Sequence, residues 1–244
     1  MKILLAPSET KTNGGCDKFY LNTLLFPELT ATRQKLLHQY INIIQQNNFD
    51  TLSKMFGLKK EADISYHSKD IVHELTMKAI ERYIGVAFDY LSYSKLTPNE
   101  QHYIDNNVIL CSNLFGFLRA DDMIPEYRLK QGEAVGELKP DKLYKEQSHL
   151  MEEYLKDEDI LDLRAGFYDK FYKPTKNYTT LKFIKDGKVV SHWAKAYRGI
   201  VLREIAKAQI DNLEDFMKLP IENLSIDEIQ TKKNKTEIIY IIDS

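Results

Sequence analysis

Apolar positions along the chain fall into two kinds of run. Short continuous runs at residues 3–6, 108–112 and 160–163 have the length of buried strands, and Pro7 stops the first of them. Longer stretches carry apolar residues three and four apart and predict helices. One covers residues 31–46, through Leu36, Leu37, Tyr40, Ile41, Ile43 and Ile44. A second covers 73–83, through Leu75, Ala79, Ile80 and Tyr83, with Gly85 releasing the chain. A third covers 197–209. Residues 179–184 and 188–192 flank Asp186-Gly187, the residue pair of a tight hairpin, and 237–242 predicts a terminal strand. Strands and helices interleave, which predicts an α/β (α+β) fold with a mixed central sheet flanked by helices. No repeat, Gly/Ser linker or low-complexity tract breaks the chain, so residues 1–244 are expected to form a single domain.

Composition adds bounds rather than chemistry. With 43% hydrophobic and 29% charged residues over 244, the chain has enough apolar material for a core without staples. Two cysteines, Cys16 and Cys111, make no disulfide framework. The apolar run at the N-terminus is too short for a signal peptide, and no stretch approaches the ~18 apolar residues of a membrane span. A cytoplasmic protein with no membrane partner is expected. The net charge of −2 excludes a wholly basic nucleic-acid binder but hides an asymmetry. Residues 170–207 hold ten basic side chains against two acidic, a net of +8, so the remainder carries −10. That segment suits an anionic ligand and equally suits a solvated hairpin and helix.

The named catalytic patterns are missing: no P-loop, no dinucleotide fingerprint, no H-E-x-x-H, no G-x-S-x-G. The six histidines do not pair at metal-ligand spacing, so neither a metal site nor a cofactor is predicted. The candidate chemistry lies elsewhere. Ser8, Glu9, Thr10 and Lys11 follow a buried strand directly, where α/β sheets open a crevice and where hydroxyls and an ammonium can hold a phosphate. Arg119 and Arg128 bracket Asp121, Asp122 and Tyr127; this is either an anion clamp or an internal Arg–Asp network. Asp162 and Arg164 repeat the acid–base pairing at a strand end. Lys195 and Arg198 are three apart and share a helix face. Residues 197–219 read as helix, short turn, helix. This is the outline either of a helix-hairpin-helix or of an ordinary helical hairpin, with Gln209-Ile210-Asp211 in the turn.

Taken together, these blocks resemble the YaaA family of peroxide-stress proteins. Pro7-Ser8-Glu9-Thr10-Lys11 with Gly14-Gly15 looks like one branch's N-terminal signature. Arg82-Tyr83-x-Gly85-Val86 resembles a Tyr-x-Gly segment of the family, with Phe88 where Tyr is common. Residues 110–129, from Leu110 through Arg119, Asp122, Tyr127 and Arg128 to Leu129, carry the most specific similarity. Asn113 stands there for the usual Gly and Ala120 for the usual Pro, so that turn is expected to be less tightly fixed. Asp162-Leu163-Arg164-Ala165-Gly166-x-Tyr168 and Lys195-x-x-Arg198-Gly199 complete the set.

The resemblance implies the family's own mixed α/β fold and a role in hydrogen-peroxide stress, where members lower free intracellular iron. It also implies binding of duplex or distorted DNA through a helix-hairpin-helix and a positively charged cleft. On that reading Ser8, Thr10, Lys11, Arg119, Tyr127, Arg128, Arg164, Lys195 and Arg198 are the phosphate contacts, with Asp122 and Asp162 orienting the arginines. The usual Gly-x-Gly of such a hairpin is replaced here by Gln209-Ile210-Asp211, where Asp211 would repel phosphate. An enzyme acting on a nucleotide, a small-molecule phosphate or damaged nucleic acid is the alternative, with Glu9, Asp122 and Asp162 as acid/base groups.

Overall fold

The computed structural model describes residues 1–190 and 192–243. In chain order, β1 (Lys2–Leu5) leads through a long loop to α1 (Thr30–Gln46), α2 (Phe49–Phe56) and α3 (Glu61–His67). Next come β2 (Thr76–Lys78), α4 (Ala79–Arg82), α5 (Val86–Leu91) and α6 (Pro98–Asn107). The middle of the chain forms β3 (Val108–Ser112), β4 (Gly116–Arg119), β5 (Met123–Pro125), α7 (Pro140–Glu146), α8 (Ser148–Tyr154) and β6 (Ile160–Asp162). The last third holds β7 (Tyr178–Lys185), β8 (Lys188–Val189), α9 (His192–Ala208), α10 (Leu213–Lys218), β9 (Leu224–Lys232) and β10 (Lys235–Ile242).

The main sheet runs β4-β3-β1-β6-β7-β10-β9, with β8 paired to β7. Its middle strands, β3, β1, β6, β7 and β10, are mutually parallel, and β4 and β9 close the two edges antiparallel. The mixed sheet flanked by helices is the architecture the alternating pattern predicts. β1 and β3 are buried along almost their whole length, as strands covered on both faces must be. One continuous apolar core runs from Met1 to Ile242.

Most of the elements that the apolar pattern predicts are found, and three differ. Residues 73–83 form a strand and a single helical turn rather than a helix. Thr76–Lys78 pair with Met123–Pro125, and the Thr76 amide donates to Asp17 O at 2.8 Å, so long-range pairing overrides the local spacing. The hairpin at Asp186-Gly187 forms with both residues at positive φ (51° and 70°), as a tight primed turn requires. Its second strand, however, is only Lys188–Val189, and α9 is already under way at His192, before residue 197. Ser191, inside the expected strand, lies outside the described residues.

The turn at Asn113 is tight, contrary to expectation. Ser112 Oγ accepts from the amides of Leu114 (3.2 Å) and Phe115 (2.9 Å), a local hydroxyl cap that needs no glycine. Ala120 uses the amide that a proline would lack: it donates to Val108 O at 3.0 Å.

Candidate functional site

Strands added after β1 go to one side of it (β3, β4), and strands added after β6 go to the other (β7, β10). Neighbouring loops therefore part at the carboxyl ends of β1 and β6, which is where open α/β sheets form a crevice. A cavity of about 530 Å³ lies there. The β1 loop contributes Ala6, Pro7, Ser8 and Glu9, and the β6 loop contributes Leu163, Ala165 and Tyr168. Gly85–Phe88 at the start of α5 forms another wall, and Lys195 and Arg198 of α9 close it. A second cavity of about 360 Å³ adjoins it across Ala165, Lys195 and Arg198. Asp162, Arg164, Lys182, Lys235 and Glu237 face this second space. Together the two match the size of a small-ligand pocket.

The two cations on α9 differ from the rest. Lys195 is exposed and makes no ion pair among the described residues. Arg198 is half-buried, and its Nε has no hydrogen-bond partner among the described residues. Burial lowers its pKa, and the Asp162 carboxylate works in the other direction. A guanidinium left short of acceptors beside an open cavity is poised for an anion.

Arg164 is already committed. Its Nε and one terminal nitrogen grip Asp162 at 2.8 and 2.7 Å, with Tyr172 O at 3.0 Å. Burial opposes its charge, but Asp162 and Cys111 hold its pKa up. Asp162 thus holds Arg164, and the pair lines the smaller cavity with the guanidinium already engaged by a carboxylate.

The loop after β1 is braced from behind. Glu9 accepts from Gln131 N (2.8 Å) and pairs with Arg128 (3.3 Å), while Arg128 also donates to Phe56 O. Thr10 N donates to Ser8 Oγ. Lys11 lies under this loop, donating to the carbonyls of Ser8 (3.1 Å) and Glu9 (3.2 Å) with its ammonium 3.9 Å from the Tyr127 ring centre. Tyr127 belongs to a buried hydroxyl chain, Tyr83 to Tyr127 (2.8 Å) to Ser112 (2.7 Å). Burial, together with the Arg128 cation, pushes the Lys11 ammonium down to about 7 against the pull of Glu9 and Glu126.

This predicts a pH dependence of stability. An unfolded lysine keeps its proton up to about 10.5, whereas folded Lys11 loses it near 7. Above 7 the unfolded state binds the extra proton, so stability rises with pH by about 1.4 kcal/mol per unit from this group, and below 7 the contribution is flat. Urea unfolding between about pH 7.5 and 8.5 should show that slope in the wild type and lose it in Lys11→Met. Equal slopes would mean Lys11 is not desolvated.

Of the residues singled out in the sequence, Ser8, Glu9, Asp162, Arg164, Lys195 and Arg198 line the two cavities. Thr10, Lys11, Tyr127 and Arg128 support the loop and line neither. Arg119 and Asp122 are not brought there. Asp122 is buried, accepts from the amides of Leu25 and Arg119 (both 2.9 Å) and binds the Arg119 guanidinium at 2.9 Å. The internal-network reading holds for that pair. Tyr168 and the Gly85–Phe88 turn join the site from blocks that the resemblance marked without a role, Lys182 comes from the basic segment, and Lys235 had no sequence signal; only the sheet brings these segments together.

The turn between α9 and α10 also lines neither cavity. Its Leu213 amide donates to Asp159 Oδ2 (2.8 Å), and Asn212 binds the side chains of Asp211 and Asp215. Among the described residues no three His, Cys, Asp or Glu gather as metal ligands would, and no helix is long and apolar enough to cross a membrane.

Comparison with known proteins adds a family. The model of a family described as peroxide stress protein YaaA matches residues 1–230. An uncharacterized protein of Campylobacter jejuni is 44% identical over 99% of both chains. A UPF0246 protein of Corynebacterium glutamicum is 34% identical over 90% of this chain and 91% of its own. A UPF0246 protein of Fusobacterium nucleatum is 26% identical over 96% of this chain and 97% of its own.

Proposed function

The chain belongs to the family of the peroxide stress protein YaaA, and from that premise we propose that it binds DNA through the double cavity at the ends of β1 and β6. The single observation that carries this reading is Arg198: a half-buried guanidinium, short of acceptors, placed between two cavities with unpaired Lys195 beside it. Lys182 and Lys235 extend the positive lining, and the +8 charge of residues 170–207 supplies long-range attraction for a polyanion. In the cell, such binding would shield DNA from iron-dependent damage under hydrogen peroxide and would act in the cytoplasm. A small phosphorylated ligand would use the same two cations.

Binding of a labelled duplex should weaken steeply between about 50 and 200 mM salt. Lys195→Ala should lower affinity and reduce the salt slope by about one phosphate equivalent. Arg198→Gln, which keeps the size but removes the charge, should cost more than Lys195→Ala because the group is desolvated. An affinity that does not change with salt would end the phosphate reading.

A second reading, an enzyme acting on a nucleotide or damaged nucleic acid, has one observation in its favour. Glu9 lines the larger cavity, its carboxylate held by Gln131 N and Arg128, and Lys11, with its pKa near 7, lies against the same loop. Glu9→Gln separates the two: an enzyme loses turnover while binding is kept, and a binder shows no reaction to lose.

A further inference from the structure

The chain has a single tryptophan, Trp193, and it is 43% exposed. One exposed ring alone is ordinary on a protein surface; rings that gather beside charged groups at one place are not. Trp193 stands at the start of α9, next to Ala194 and Lys195, which line the smaller cavity. The Lys185 ammonium lies 4.9 Å from its ring centre, and exposed Lys188 sits at the same hairpin tip. The turn after β6, whose Gly166 and Asp169 border the same cavity, repeats the arrangement. There Phe167 is 41% exposed with the Lys170 ammonium 3.9 Å from its ring centre.

Two exposed rings, each carrying a lysine, therefore stand next to residues that line one basic cavity. An apolar protein partner fits this surface poorly, because covering it would bury Lys185, Lys188 and Lys195 without counter-charges. A nucleic-acid strand with unpaired bases fits both halves of the pattern. Its phosphates meet the lysines and its bases offer π-faces to the rings, whereas a duplex keeps those faces stacked within itself.

We propose that Trp193 is a stacking platform for an unpaired base of single-stranded nucleic acid, with Phe167, next to Gly166 of the smaller cavity, as a second platform. The proposal rests on the DNA-binding reading and adds to its phosphate contacts a base contact that only strands with unpaired bases can make.

The sole tryptophan makes the test direct. Titrating the full chain with oligo-dT should quench its intrinsic fluorescence. With labelled oligo-dT, Trp193→Ala should weaken binding by about tenfold, while Trp193→Phe keeps most of the affinity. Affinity for a blunt duplex should change less than about twofold in either variant, since no free base face is lost. Circular dichroism confirms that the variants fold. Three results overturn the stacking proposal: unchanged oligo-dT binding by Trp193→Ala, an equal loss for single strand and duplex, or duplex binding without oligo-dT binding. Each of these leaves the DNA-binding reading standing. Failure of both DNAs to bind the wild type would remove that reading and the stacking proposal with it.

Discussion

Arg33→Met should lower the unfolding free energy by about 3 kcal/mol or more, among the largest single-residue losses available in this molecule. Arg33 projects from α1 and is 1% exposed. Among the described residues it meets no carboxylate; it donates to four carbonyls instead. Its Nε binds Phe115 O (2.9 Å), and its terminal nitrogens bind Phe26 O (3.0 Å), Leu25 O (2.6 Å) and Phe117 O (2.9 Å). One side chain thus ties the loop before α1 to the β3–β4 hairpin. Methionine fills much of the volume and donates nothing, so the carbonyls are left in an apolar setting at about 1–3 kcal/mol each, less whatever water recovers. Urea unfolding should show a lower midpoint with an unchanged slope. A loss below about 1 kcal/mol would mean that the loop rearranges or water replaces the guanidinium. Arg82 repeats the device nearer the site, donating to Ile124 O, Thr12 O, Gly14 O and Leu75 O, and thereby fixes the loop that ends the Ser8–Lys11 turn.

Gly199→Ala should destabilise by about 3 kcal/mol and also impair ligand binding. Gly199 lies on α9 where α5 crosses it. A methyl group at 199 would overlap the Ala87 carbonyl oxygen and come within 3.0 Å of Leu91 N. Both obstacles are backbone, which cannot rotate aside, so the helices must separate. Here packing and site geometry are one problem. Ala87 and its neighbours wall the larger cavity from α5, while Lys195 and Arg198 reach it from α9, one turn and one residue before Gly199. Separating the helices moves the cations relative to the Ser8–Glu9 loop. The check is a urea midpoint together with the salt dependence of duplex binding. A variant that is less stable but binds normally would show that the crossing distance does not set the site.

The elements that were legible beforehand share a physical trait: their apolar period matches the structure that buries it. The 17 residues of α1 turn Leu36, Leu37, Tyr40, Ile43 and Ile44 inward at helical spacing. β3 is buried throughout, its first four residues an unbroken apolar run, because both of its faces are covered. Asp186-Gly187 turns because both residues accept positive φ. Residues 73–83 misled for the converse reason. Their apolar spacing is helical, but hydrogen bonds to Asp17 and the β5 strand, far along the chain, outweigh it.

Sequence alone determined the buried strands β1, β3, β6, β7 and β10, the longest helices α1 and α9, the tight hairpin, the family resemblance and the identity of the charged residues near each strand end, since these depend on neighbours within a few positions. Tertiary structure alone decided which of those charges are available. Asp122 and Arg119 satisfy each other, Asp162 occupies Arg164, Glu9 meets Arg128, and Lys11 is sealed beneath aromatic rings. Lys195 and Arg198 are left facing open space. A side chain's charge is written in its chemistry, but whether that charge is already neutralised can depend on a residue 119 positions away, as for Arg128 and Glu9. Chain folding, not local pattern, sets those distances.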